Sequence, residues 1–225
     1  MLTLAIERTA VITSSGSKSS PTTPANAIAS ALSSALAGDD RERVLVQAVL
    51  AGDREAFRPL VEAHQTRVYN LALRMLGNAH EAEDAAQDAF LQAYARLKSY
   101  RPEWRFQTWI MAIASNLCID RLRRRRLEPI AFADATQRDD GDDVEFISRE
   151  PQPDAALARK QRDEAIRAML LELPAEDRSM VVMFYFNDMS YEEIAQATNT
   201  TVSAVKSRLF RARQKMAKSR WTEAL

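Results

Sequence analysis

Apolar residues recur along this chain every three to four positions and not every second one, the spacing of helices that bury one side. From Asp39 onward the pattern predicts helices over about 39–51, 54–76, 79–98 and 106–126. After a break it predicts a second set over 155–172, 175–186, 190–197 and 201–219. Gly77-Asn78 supplies a C-cap for the second helix and Pro102 interrupts the chain before the fourth. Pro174 and Asn187-Asp188 divide the later ones. There is no strand-like alternation and no internal repeat. The expected fold class is all-α: two small helical domains joined by a flexible acidic linker.

Composition sharpens the boundaries. Residues 1–38 are rich in Ser, Thr and Ala, with "SSGSKSSPTTP" at 14–24, and can bury little, so they are expected to be a disordered tail. The first domain is placed at 39–127. Residues 128–154 hold Pro129, Gly141, Pro151 and Pro153 among Asp134, Asp139, Asp140, Asp142, Asp143, Glu145, Glu150 and Asp154, which reads as a linker. The second domain follows at 155–221. Formal net charge is zero, from 31 basic and 31 acidic residues, so any nucleic-acid role must come from charge segregation. That segregation is present: five arginines fill six positions at 121–126, and Lys206, Arg208, Arg211, Arg213, Lys215, Lys218 and Arg220 line the last helix.

Cys118 is the sole cysteine, so no intrachain disulfide can form, and with His64 and His80 it makes no zinc spacing. Glu7 and Arg8 interrupt the only apolar stretch at the N-terminus, so no secretory leader is expected. "WIMAIASNLCI" is far shorter than the roughly 20 apolar residues that span a bilayer. Membrane insertion is therefore not expected, and a reducing, cytoplasmic setting is. Nor does any nucleophile, metal site or phosphate-binding loop accompany the carboxylates, so no cofactor and no catalysis are expected.

The second domain carries the sharpest motif. In "SYEEIAQATNTTVSAVKSRLFRARQKM", Ser190 and Glu193 form a capping-box spacing, "TNT" makes a turn, and Thr200 or Thr201 can cap the next helix. On that helix Val202, Val205, Leu209, Ala212 and Met216 share one side, while Ser203, Lys206, Ser207, Phe210, Arg211 and Gln214 share the other. A helix-turn-helix of this kind places its second helix in the major groove. Phe210 on the polar side needs a cover: either a thymine methyl or sugar, or another helix of the protein.

The first domain has two faces of interest. On 79–98, Ala86, Ala89, Phe90, Ala93 and Leu97 make an apolar stripe, and Asp84, Gln87, Asp88 and Leu91 lie opposite, either a contact face or a solvated one. In "KSYRPEWRF" and the helix after it, Tyr100, Trp104, Phe106 and Trp109 interleave with Arg101 and Arg105. Such aromatics can trap unstacked bases at about 1–3 kcal/mol per base, comparable to a DNA stacking step of about 1.4 kcal/mol. The alternative is that Trp104 and Trp109 fill the core.

"DAAQDAFLQAY" at 84–94, "FQTWIMAIASNLCIDRLRR" at 106–124 and "LPAEDRSMVVMFYFNDMSYEEIAQATNTTVSAVKSRLFRARQKM" at 173–216 resemble bacterial RNA polymerase sigma factors of the extracytoplasmic function group, in order and spacing. The resemblance implies a non-enzymatic specificity subunit. Asp84, Gln87, Asp88 and Leu91 would dock on the clamp helices of the largest polymerase subunit, with the second domain on the flap of the second-largest. Tyr100, Arg101, Trp104, Arg105, Trp109, Asn116, Asp120, Arg123 and Arg124 would recognise and melt the minus-10 element. Ser203, Lys206, Ser207, Arg208, Phe210, Arg211 and Gln214 would read the minus-35 duplex. An anti-sigma factor is a further partner that the resemblance implies. The long N-terminus and the Pro-Glu-Trp of the loop depart from the family pattern, so the promoter sequence does not carry over. Two rival readings are a stand-alone helix-turn-helix regulator, and a protein-binding module whose basic faces meet acidic partners.

Overall fold

A computed structural model of the chain describes residues 38–127 and 153–223, with side chains of the second segment described over 162–218. All regular structure among them is helical. The first segment forms α1 (Gly38–Leu50), a 3-10 turn at Arg54–Phe57, α2 (Arg58–Leu76), α3 (Ala79–Ala95), a second 3-10 turn at Leu97–Ser99, and α4 (Phe106–Leu127). The second forms α5 (Pro153–Leu171), α6 (Ala175–Phe186), α7 (Tyr191–Ala197) and α8 (Val202–Glu223). The expected tail and acidic linker lie outside the described residues, apart from Gly38 and the start of α5.

Local chemistry sets most of the ends. The Asp53 carboxylate accepts from the Glu55 N–H at 3.1 Å and starts the first 3-10 turn, so the helix expected from 54 becomes α-helical only at Arg58. Gly77 closes α2 at φ 79°, its N–H bonded to the Leu73 carbonyl. The Asn78 side chain then accepts from the Glu81 N–H at 2.9 Å and opens α3. Ser190 and Glu193 make the capping box at the start of α7.

In the first domain α2, α3 and α4 pack around Leu60, Val68, Leu71, Met75, Phe106, Ile110 and Met111. Ala82, Ala85, Ala89 and Ala93 are buried on α3, and their small side chains let the three helices approach closely. The second domain closes over Leu170, Met183, Ile194, Val205 and Leu209.

These two units also pack on each other, which nothing in the helical periodicity announces. α2 and α4 lie against α6, with α5 on α2 and α7 on α4. Ser115 and Ser179 share a buried hydroxyl hydrogen bond of 2.6 Å across this seam. The Arg74 guanidinium lies 4.2 Å from the centre of the Phe186 ring. Arg178 donates to the Met75 carbonyl at the end of α2, and to Leu171 O at 2.8 Å and Leu173 O at 3.1 Å at the end of α5. One cation thus serves the negative ends of two helices from different domains. Burial lowers its pKa from the ordinary arginine value.

Candidate nucleic-acid interface and docking face

The helix-turn-helix is held by two backbone devices. At the end of α7, Asn199 takes the left-handed conformation, φ 49°. The Thr200 N–H then bonds Ala195 O at 2.9 Å, and the Asn199 N–H bonds Gln196 O at 3.3 Å. This paired pattern of a Schellman motif satisfies the last carbonyls and turns the chain. Thr201, the second of the two candidate caps, accepts the Ala204 N–H at 3.2 Å and starts α8.

Val205, Leu209 and Ala212 face the core, and Ser203, Lys206, Ser207, Phe210, Arg211 and Gln214 face out. Phe210 is 54% exposed, so no helix among the described residues covers it. Arg208 departs from that set. It is partly buried and paired with Asp177 of α6 at 3.4 Å, so it braces α8 rather than standing free on the outer face. Sequence reading missed the base under Lys206: its ammonium lies 5.4 Å from the centre of the Tyr191 ring, which stacks on Phe184. The spacing of Tyr191 and Lys206 across the turn was the available signal.

Two of the residues that the resemblance assigns to the minus-10 element, Tyr100 of the loop before α4 and Trp109 of α4, are buried, the second in the core as its alternative reading had it. Tyr100 and Trp109 are 9% and 8% exposed. Both rings sit edge-on or tilted against buried Phe106, with centroids 5.9 Å and 5.6 Å away. The Tyr100 hydroxyl donates to the Trp104 carbonyl at 2.7 Å, folding the loop over its own aromatic residues, and burial raises that phenol's pKa. Neither ring presents a face to a base here, because three large apolar rings gain more from one shared core than from separate exposure. Trp104 is partly exposed, and Arg101, Arg105, Asn116, Asp120, Arg123 and Arg124 point outward. Asp120 and Arg123 pair along the helix at 3.5 Å.

On α3, Asp84 and Gln87 are exposed and Leu91 is 48% exposed. Asp84 faces His80 of the preceding turn at 3.4 Å. Asp88 is held by Arg121 of α4 at 2.5 Å, and the same guanidinium donates to Glu81 O at 3.1 Å. Arg125 pairs with the Glu81 carboxylate. Two of the five clustered arginines therefore return to α3, while Arg123, Arg124 and Arg126 remain on the exposed side. Periodicity alone placed Asp88 on a free face, since it does not report which neighbouring helix end reaches it.

Cys118 is buried, and desolvation pushes its thiol up to about 12, with Arg121 opposing. Among the described residues no His, Cys, Asp or Glu group is arranged to hold a metal, and no helix is long and apolar enough to cross a membrane.

A helix-turn-helix with a basic, aromatic-bearing outer face, packed beside a second helical domain with its own exposed arginines, defines a two-domain α-helical DNA-binding protein. The Sigma-70 region 2 profile matches residues 60–128, and the Sigma-70 region 4 profile matches 163–216. The chain is 34% identical over 176 residues to the ECF RNA polymerase sigma factor SigW of Bacillus subtilis (strain 168), covering 77% of this chain and 93% of that one. It is 30% identical over 174 residues to the ECF RNA polymerase sigma-E factor of Escherichia coli (strain K12), covering 77% and 91%. Among solved structures, CnrH in complex with the cytosolic domain of CnrY is similar at a TM-score of 0.57 and 24% identity, over 79% of this chain and 95% of that one. The sigma factor RpoE in complex with the anti-sigma factor NepR from Bartonella quintana is similar at 0.54 and 22%, over 72% and 94%. These two likenesses speak to the fold. The chain belongs to the ECF RNA polymerase sigma factors, and its function is to direct promoter-specific transcription initiation. Its relatives are sigma factors, which are not enzymes, and a stand-alone helix-turn-helix regulator is not favoured.

Proposed function

We propose a division of labour between the two domains, at 39–127 and 155–221. The α3 face of Asp84, Gln87, Asp88 and Leu91 docks on the clamp helices of core RNA polymerase, with Arg121 positioning Asp88. The second domain meets the polymerase flap, and α8 reads the minus-35 duplex through Ser203, Lys206, Ser207, Phe210, Arg211 and Gln214. The outward groups at the start and along the side of α4, with Trp104 of the preceding loop, take the minus-10 element and help open it. The exposed Phe210 among lysine, serine and arginine carries this reading, because a large ring on a polar helix face gains a cover only from a partner. The setting is cytoplasmic, and an anti-sigma factor, such as the one bound to RpoE, is a second partner.

The test is transcription in vitro with purified core polymerase on a genomic DNA library, mapping start sites with and without this protein. New starts sharing two upstream motifs are the expected result. Duplex binding by the protein alone, at palindromic sites and with no new starts, would return the reading to a free-standing regulator.

A further inference from the structure

The basic residues of α8 are not equivalent. Arg208 is paired with Asp177, and the Lys215 ammonium donates to the Glu172 carbonyl, so both are turned back onto the protein. Lys206 is held differently. Its ammonium lies 5.4 Å from the centre of the Tyr191 ring, and among the described residues no carboxylate comes within ion-pair distance of it.

Two devices fix that ring. Tyr191 is the first residue of α7, directly after the Ser190 cap, so the capping box sets its backbone. Its ring stacks on Phe184 of α6, with centroids 5.0 Å apart and planes 4° apart, and Phe184 stands edge-on to Tyr185 at 4.9 Å. Tyr191 and Phe184 are half-buried, whereas Lys206 is exposed. A carboxylate could also fix a lysine, but it would cancel the charge that a phosphate needs. An aromatic face attracts the ammonium through its quadrupole and leaves it a cation. Lys206 is therefore placed and still charged. Its direction matters as well. Tyr191 starts the first helix of the helix-turn-helix, the one that crosses the DNA backbone, while base edges are met by the N-terminal residues of the second. An ammonium drawn toward α7 points at backbone phosphate rather than at a base.

We propose that Tyr191, seated on Phe184, is a positioning residue for Lys206 and makes it a phosphate contact, a role that rests on α8 as the reader of the minus-35 duplex. Base reading then falls to the rest of the α8 face. The ring acts before DNA arrives: a flexible lysine stem loses rotamer freedom when it is immobilised on a phosphate, and one already laid against a ring has less to lose. The aromatic face carries this role, and the Tyr191 hydroxyl does not.

Promoter affinity of core polymerase with the full chain tests this, read at several salt concentrations on a promoter from the start-site mapping and on single-base changes in its minus-35 element. Lys206→Ala is expected to weaken binding by a similar factor on all of these sequences and to lower the slope of log affinity against log salt by about 1. Tyr191→Leu should weaken binding about two- to tenfold, the worth of one side chain ordered in advance. Tyr191→Phe should match the parent, and Tyr191→Leu should add nothing in a chain that already carries Lys206→Ala. Unequal losses across the minus-35 sequences in Lys206→Ala would make that lysine a base reader and overturn the proposal. Equal losses from Tyr191→Leu with and without Lys206 would also overturn it, since the ring would then act on the DNA or on the fold. A loss in Tyr191→Phe would do the same by assigning the effect to the hydroxyl. If Lys206→Ala binds as the parent does while Phe210→Ala and Arg211→Ala fail, the phosphate role is lost and the α8 reading stands; if all three bind as the parent does, both fall.

Discussion

Two helices of this protein present aromatic and basic residues in similar density, and the fold treats them oppositely. On α8 the ring of Phe210 is 54% exposed beside Lys206 and Arg211, while on α4 the ring of Trp109 is 8% exposed against Tyr100 and Phe106. The difference is neighbourhood. α8 lies at the edge of its domain, with one apolar stripe and, among the described residues, an exposed opposite side. α4 is wedged among α2, α3, α6 and α7, so even a residue off its main stripe finds a wall. An aromatic near arginines therefore signals a nucleic-acid face only when the helix has a free side.

The widest separation between the two helices should come from truncating those rings. Trp109→Ala is expected to lower unfolding free energy by about 3–5 kcal/mol, as for other buried aromatics. Phe210→Ala should change it by less than about 0.5 kcal/mol while reducing starts at minus-35-dependent promoters. Chemical denaturation of the two variants reads this directly, and equal stabilities would collapse the contrast. Next in size, Arg178→Met leaves the carbonyls of Met75, Leu171 and Leu173 without their donor in a buried place. A loss of about 1–3 kcal/mol is expected by the same measurement, and none would mean those carbonyls find water.

Asp88→Arg meets Arg121 with a like charge and removes the acid from the α3 face. Its affinity for core polymerase should fall tenfold or more, with unfolding little changed because Asp88 is half exposed. Intact core affinity would remove α3 from the docking surface. The smallest effect expected is that of Ser190→Ala, which deletes one half of the capping box at a cost of about 0.5–2 kcal/mol. If thermal unfolding is unmoved, Glu193 holds the start of α7 without it.

Much of this architecture was legible from spacing and caps. Gly77-Asn78, Ser190 with Glu193, and Thr201 mark helix ends because each satisfies backbone groups by a local rule, and Pro174 marks one because it has no N–H with which to continue the preceding helix. The two faces of α8 were also legible, since a helix at a domain edge has one inside and one outside. What escaped depended on residues distant in sequence. Asp88 meets Arg121 across 33 positions, Arg105 meets Glu193 across 88, and Arg178 reaches Met75 across 103. Tyr100 escaped, and Trp109 stayed open between core and DNA, for a related reason: both rings are buried by packing on Phe106 and on each other, which leaves no periodic trace.

The account's central claim is that α8 and the start of α4 address different stretches of one promoter. Photocrosslinking from single probes at position 210 and position 105, in the complete complex of polymerase, this protein and an end-labelled promoter, tests it most directly. The account predicts adducts from position 210 in the upstream element and from position 105 in the downstream one, about 25 base pairs apart. Adducts from both probes in the same element, or from position 105 in none, would contradict it.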